Sequence, residues 1–426
     1  MISFRNGILR IEKSSELNDG RKYRFMYEIC LYLGIIGYFI MNIPVVHYLG
    51  TAALIASTLI ITFEKVKTFR MNKSLFCLWY LIFIILCELS ALWAYSPATS
   101  AFKYAKMLVL ILIIGFGMVQ YSDTREDIER LLNVYLFAAL AIALIQFIGT
   151  PFDRWFAGYF GRYIGKNNSN TFGYILLFAS IIGFNKAYNQ GKRIWYLPVV
   201  IFLFGCVLSS SRKAVTFSAF GILCILLFSF KRKNHLLHFF IAVIASLLAL
   251  QIFMTNESFY DAIGVRLLNL FNFVKGNYSS SDQGSLQLRD FYIKFAKELF
   301  EEHPILGNGF VSFHSILTDQ TESMGTGYAH NNYWEVLADL GIVGFIVYFW
   351  MYAYIAFKLI VRIIKRDFEN IHMLAAIMLV SEIILEWGVV AIYQQHCQMI
   401  IALIYLCSCA SGGRKYYYSN QENRGG

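Results

Sequence analysis

Charge and proline are both scarce in this chain. Only 15% of its 426 residues are Asp, Glu, Lys or Arg, and only five are proline. A soluble protein of this length needs about a quarter of its residues charged, so that class is excluded. With few prolines and no low-complexity tract, no linker divides the chain into independent soluble domains. Cysteine is limited to eight residues, at 30, 77, 87, 206, 224, 397, 407 and 409, all in apolar stretches and none in a CxxC pair. That pattern supports neither a disulfide framework nor a zinc site, and no metal is expected. Also missing are a P-loop, the dinucleotide glycine fingerprint, HExxH and the nucleophile elbow, so no cofactor is expected. The long polar segment holds no DxD-type acidic pair, which leaves a metal-dependent nucleotide-sugar transferase without support.

What the chain has is apolar sequence: 58% of residues are hydrophobic. Long apolar stretches, each near the 20 or so residues a bilayer requires, predict an all-α integral membrane protein of about twelve transmembrane helices. The expected spans are 25–43, 46–63, 75–93, 103–121, 131–149, 169–185, 194–210, 214–230, 236–254, 333–357, 371–391 and 396–411. The chain then divides into an N-terminus (1–24), helices one to nine (25–254), a large loop (255–332), helices ten to twelve (333–411) and a C-terminus (412–426). The first 24 residues carry six Lys/Arg without an apolar core or cleavage site, so they read as a cytoplasmic segment and not a signal peptide. With both termini inside, the inner segments hold 25 of the 37 basic residues, the asymmetry expected of cytoplasmic loops. The net charge of +10 is thus topological and gives no reason to expect nucleic acid as a partner.

The 255–332 segment is far longer than an ordinary connection and is expected on the outer face. Within it, LQLRDFYIKFAKELFEE (286–302) places Leu288, Phe291, Phe295, Leu299 and Phe300 at helical spacing, with opposite charges four apart. Such an amphipathic helix lies on the membrane or roofs a cavity. The segment closes with YAHNNYWEVLADLGIVGF (328–345), where His330 stands immediately before a helix. The positive helix end and neighbouring cations disfavour imidazolium and keep the ring neutral, as a general base requires. Asn331 or Asn332 supplies the helix cap. Gly341 and Gly344 lie roughly 16 Å further along the helix and read as close-packing positions. Basic residues are also present on the expected outer face: Arg212 and Lys213 in SSSRKAV, Arg162 and Lys166 in GRYIGKNNSN, and Arg289 at the start of the loop helix. Guanidinium groups there suit a diphosphate on a lipid, since each can grip phosphate oxygens with paired hydrogen bonds. The plain alternative is snorkelling at the interface. Intramembrane carboxylates need a reason, and Glu335 and Glu386, nearer the outer side, are expected to pair with or hold the arginines. A proton or ion path in a transporter is the competing reading, which the lack of an internal repeat weakens. The turn Tyr393-Gln394-Gln395-His396 is a supporting candidate.

These residues resemble the O-antigen ligase and O-antigen or capsular polysaccharide polymerase superfamily of bacterial membrane glycosyltransferases. Its mark is His-Asn (or Ser, Gln), nine residues, Gly, two residues, then Gly, Thr or Tyr, at the end of a large periplasmic loop. His330, Asn331, Gly341 and Gly344 match it in full. LRDFYIKFAKELFEEHPILGNGF resembles the family's loop helix and following turn, with Ile293 where the family often has Leu. SSSRKAV and SALWAYSPATS (90–100) are similar to two further family stretches, and the likeness runs from about residue 75 to 357. The resemblance implies a GT-C-type, metal-independent, inverting enzyme of the bacterial cytoplasmic (inner) membrane. Its donor is a glycan on undecaprenyl diphosphate and its acceptor a glycan or lipid-linked glycan. The resemblance makes His330 the base and puts Arg212 and Arg289, with Arg162 and Lys213 as further candidates, on the diphosphate. Asn331, Glu335 and Glu386 are supporting residues. A flippase and a chain-length regulator of the same pathway are possible partners. Nothing in the motifs separates a polymerase of O-antigen, capsule or exopolysaccharide from a ligase acting on lipid A-core or another acceptor; general resemblance favours the polymerase. A multi-span transporter or lipid flippase is the alternative of another class.

Overall fold

The computed structural model describes residues 2–5, 8–11, 14–40, 43–156, 160–161, 169–230, 232–256, 260, 283–320 and 327–410. Apart from a short antiparallel hairpin, Ile2–Arg5 against Ile8–Ile11, the described residues form helices joined by short turns. In chain order these are α1 (Ser14–Phe39), α2 (Pro44–Lys67), α3 (Leu75–Leu89), α4 (Pro97–Tyr121), α5 (Arg125–Gly149), α6 (Ser169–Tyr188), α7 (Tyr196–Leu208), α8 (Arg212–Phe228) and α9 (His235–Thr255). Then follow α10 (Gln283–Glu302), α11 (Ser312–Gln320), α12 (Asn332–Ile364), α13 (Asn370–Leu385) and α14 (Gln395–Cys409). Helix starts follow local chemistry. Pro44 and Pro97 occupy first positions where no N–H is needed, and Thr124 and Asp127 form a reciprocal capping box at α5.

A helix lies over each of the twelve stretches expected to span. Six helical stretches among the described residues are long and apolar enough to cross a membrane: 44–67, 75–92, 104–121, 125–149, 235–255 and 332–364. Shorter apolar helices cover 193–208, 370–385 and 395–409. The chain therefore spans the membrane. α9 has no buried residue and leans on α8, as an apolar helix can when lipid is its solvent. The core sits instead around α6, α13 and α14, where Phe178, Met378 and Ile401 are fully buried, and α4, α5, α8 and α12 close around them. α1 and α2 pack so closely that a Cβ on Gly50 would fall 2.5 Å from the Gly37 carbonyl carbon.

The expected loop helix is present as α10. Its Tyr292, Phe295, Ala296 and Leu299 form a small second core with Phe313 and Leu317 of α11 and Ala338 of α12. The helix thus lies on a lid of protein. Asp290 pairs with Lys294 at 2.8 Å, while Lys297 sits over the Trp334 ring at 4.9 Å.

Gly341 is not simply a packing position on a continuous helix. Its backbone (φ 60°, ψ −164°) breaks α12 in a region open essentially to glycine alone. The break frees the N–H groups of Ile342 and Val343, which donate to the carbonyls of Pro304 (2.9 Å) and Ile305 (3.2 Å). A Cβ on Gly341 would lie 2.4 Å from the Ile305 oxygen. On the other side of the break, Asn308 donates Nδ2–H to the Leu299 and Ala338 carbonyls, at 2.9 and 3.0 Å. Asp339 accepts from the N–H groups of Val311 and Phe313, each at 2.8 Å. The turn 303–313 is therefore stitched into the helix that follows His330.

Candidate active site

His330 is held at φ 54°, a left-handed conformation that costs a side chain of this kind about 1–3 kcal/mol. Polar contacts fix the chain on both sides of it. Before it, the Ala329 N–H donates to the Glu335 carboxylate at 2.5 Å. After it, the Asn331 side chain caps α12, accepting from the N–H groups of Tyr333 (3.0 Å) and Trp334 (3.2 Å). Asn332 donates its backbone N–H to the Glu386 carbonyl (2.8 Å) and its side-chain amide to the Glu386 carboxylate (3.0 Å). Its Oδ1 accepts from the Ile392 N–H at 3.1 Å. The imidazole packs against Tyr328, with ring centroids 4.0 Å apart and planes tilted by 42°, and lies nearly parallel to Tyr292 at 6.1 Å.

Glu335 and Glu386 thus act on the backbone beside His330. The expectation that they would pair with the arginines is corrected: among the described residues neither makes an ion pair. Both are buried, and hydroxyls complete their shells. The Tyr393 hydroxyl lies 3.1 Å from Glu335 and 2.6 Å from Asp339, and that of Tyr352 donates to Glu386. A buried carboxylate is tolerable when hydrogen bonds replace its water.

Arg212, Lys213, Arg289 and His330 line one polar cavity of about 100 Å³, together with Tyr328 and Gln394. The SSS turn builds the first part of it. Ser209 donates its hydroxyl to the Cys206 carbonyl at 2.7 Å and Ser210 turns left-handed at φ 54°. α8 then starts with Arg212 and Lys213 at its positive end. Lys213 donates its ammonium to the Gly388 carbonyl. Neither Lys213 nor Arg289 has a carboxylate partner among the described residues. Burial, with Arg289 and then Lys213 adding repulsion, pushes the His330 imidazole down to about 4, so it is neutral at physiological pH. Burial raises the Tyr328 phenol, which stays protonated beside it.

Three of the four expected cations therefore meet the histidine; Arg162, with Lys166, lies outside the described residues. Tyr328, Tyr292 and Gly388 are contributions the motifs did not announce. Tyr328 had one signal, its place two residues before His330 in the same segment. Tyr292 had none, because its spacing on α10 is that of a core residue.

A membrane-spanning helical protein with a cationic cavity beside a neutral histidine is the class this geometry defines. Residues 197–349 match the family model described as O-Antigen ligase, a stretch that contains Arg212, Lys213, Arg289 and His330. The match bears out the resemblance to the O-antigen ligase and polymerase superfamily and indicates an activity of that ligase or polymerase type. No curated protein matches the chain.

Proposed function

We infer that the chain is a polysaccharide polymerase, joining undecaprenyl-diphosphate-linked repeat units without a metal and with inversion at the anomeric carbon. The observation that carries the transfer chemistry is the meeting in one cavity of three basic side chains and a neutral imidazole. Arg212, Lys213 and Arg289 would grip the donor's diphosphate, and Arg162 is a further candidate for the same task. His330 takes the proton of the acceptor hydroxyl as its oxygen attacks the anomeric carbon. The bond from that carbon to the phosphate oxygen breaks, and the lipid diphosphate leaves with the electron pair, its charge stabilised by the cations. Attack from the face opposite the leaving group inverts the centre.

A base at about 4 is weak, and the donor corrects this. Its diphosphate neutralises Arg289 and Lys213, two of the groups that depress His330, so donor binding raises the ring's proton affinity. Glu335, Asn331 and Glu386 hold the strained His330 backbone as positioning residues. The charge asymmetry of the loops supports twelve spans, both termini in the cytoplasm and the site on the outer face of a bacterial inner membrane.

The test is glycan assembly by purified protein. Wild type, His330→Ala and Arg289→Ala receive an undecaprenyl-diphosphate oligosaccharide in EDTA, and products are resolved by size. A ladder from wild type alone is expected. Transfer of glycan to an added lipid A-core acceptor without a ladder would make the chain a ligase. Movement of the lipid across a vesicle membrane without bond formation would make it a flippase.

A further inference from the structure

A second cavity, of about 400 Å³, adjoins the first. Tyr328 and Gln394 line both. Its chemistry is opposite to that of the first. No Lys or Arg is among its described lining residues, and one carboxylate, Glu335, is. Its wall is aromatic: the Tyr104 ring lies 5.2 Å from Tyr393, and both pack on Phe310, at 6.3 and 5.5 Å. His314 donates its Nδ1–H to the Gly327 carbonyl at 3.1 Å. Tyrosine hydroxyls, Gln394 and the Glu335 carboxylate complete a lining of hydrogen-bonding groups between ring faces.

A diphosphate would find no Lys or Arg here to balance its charge, so this cavity lacks what the first offers the leaving group. It suits a ligand with hydroxyl or amino groups round its edge and apolar faces for stacking, which describes a sugar ring. We propose that the cavity bounded by Tyr104, His314, Tyr328, Glu335, Tyr393 and Gln394 is the acceptor subsite, binding the terminal neutral or amino sugar of the incoming glycan. This rests on the glycosyl-transfer reading above and adds where the acceptor sits. Acceptor and diphosphate then occupy cavities that share Tyr328, whose ring touches the imidazole. The acceptor is recognised by its sugar, not by its lipid.

The experiment uses purified full-length chain and two substrates from source cells lacking it: the accumulated lipid-linked repeat unit, and the same oligosaccharide freed from lipid diphosphate by mild acid. Wild type should extend the free oligosaccharide as well as form a ladder on lipid-linked units. Tyr104→Ala and His314→Ala should each raise the oligosaccharide concentration for half-maximal transfer about tenfold, while the dependence on lipid-linked donor moves less than twofold. Arg289→Ala should do the reverse. A wild-type ladder with no use of the free oligosaccharide overturns the subsite alone. So does an unchanged half-saturating concentration in both variants, or a shift in the donor's dependence instead. Neither ladder nor transfer by wild type removes the glycosyl-transfer reading and the subsite with it.

Discussion

His330 combines two costs: a left-handed backbone, held by the contacts of Glu335 and Asn331 on either side, and a ring beside cations, which stays neutral. Removing the ring tests its chemistry. His330→Ala should lower kcat by 10²–10⁴-fold, the usual contribution of a general base, with protein still extracted from membranes at wild-type levels. The pH profile tests its setting. In the free enzyme the ring sits at about 4, so kcat/KM for the proposed transfer should hold level at neutral pH and fall as pH drops through about 4. In the proposed mechanism bound diphosphate raises the ring, so the limb for kcat should lie at higher pH than the limb for kcat/KM. Arg289→Ala removes a neighbour that lowers the ring, so it should move the kcat/KM limb upward as well as weaken donor binding by 10–100-fold, about the 1.5–3 kcal/mol of a charge-assisted hydrogen bond. A limb that stays in place after Arg289→Ala would mean that the two groups do not sense one another.

At the scale of elements, α12 is the instructive case. Its sequence reads as one apolar helix from Asn332 onward, and its start was legible because Asn331 has the chemistry of a cap. The break at Gly341 was not legible. Apolar periodicity continues through it, and the partners that accept the freed N–H groups, Pro304 and Ile305, lie more than thirty residues upstream. The same holds for Glu335 and Glu386. Their burial was foreseeable, whereas their hydrogen bonds go to backbone and side chains that only the fold brings together. The loop helix fared better, since Phe295 and Leu299 show their inward face by spacing alone and both are buried. α11 escaped notice because nine residues carry too short a period. Two substitutions probe this frame. Gly341→Ala puts a Cβ 2.4 Å from a carbonyl oxygen in a conformation alanine avoids, and should cost ~3 kcal/mol, seen as a lower melting temperature in detergent. Glu335→Gln keeps an acceptor for the Ala329 N–H and should retain most activity. Glu335→Ala leaves that donor unpaired and should cost about 1–3 kcal/mol of stability and lower kcat. Equal losses in Gln and Ala variants would show that charge at Glu335, and not its grip on Ala329, is what matters.

For the whole molecule, charge and site geometry make one joint demand. The cavity that would take a lipid-linked glycan is lined by Arg289 of α10, so α10 must face the compartment where such glycans are assembled. The loops at the other end carry the dense ion pairs of the fold: Arg24 with Asp123 and Asp127, Lys65 with Asp123, and Lys186 with Glu129. These pairs tie α1, α2, α5 and α6 together beside the segments richest in Lys and Arg. They suit a cytoplasmic face, where basic loops are retained. Orientation is therefore a test of the functional reading as well as of topology. In a background with all eight cysteines replaced, single reporters at Glu301→Cys on the lid and Lys192→Cys at the opposite end report the two faces, since both positions are exposed. In intact spheroplasts a membrane-impermeant maleimide should label Glu301→Cys and leave Lys192→Cys untouched until the membrane is opened. The opposite pattern would put His330 and its cations on the cytoplasmic side. Each donor would then have to reach them before crossing, and the assignment of the cavity to outward-facing glycan transfer would fail even if the ligase-family match stands.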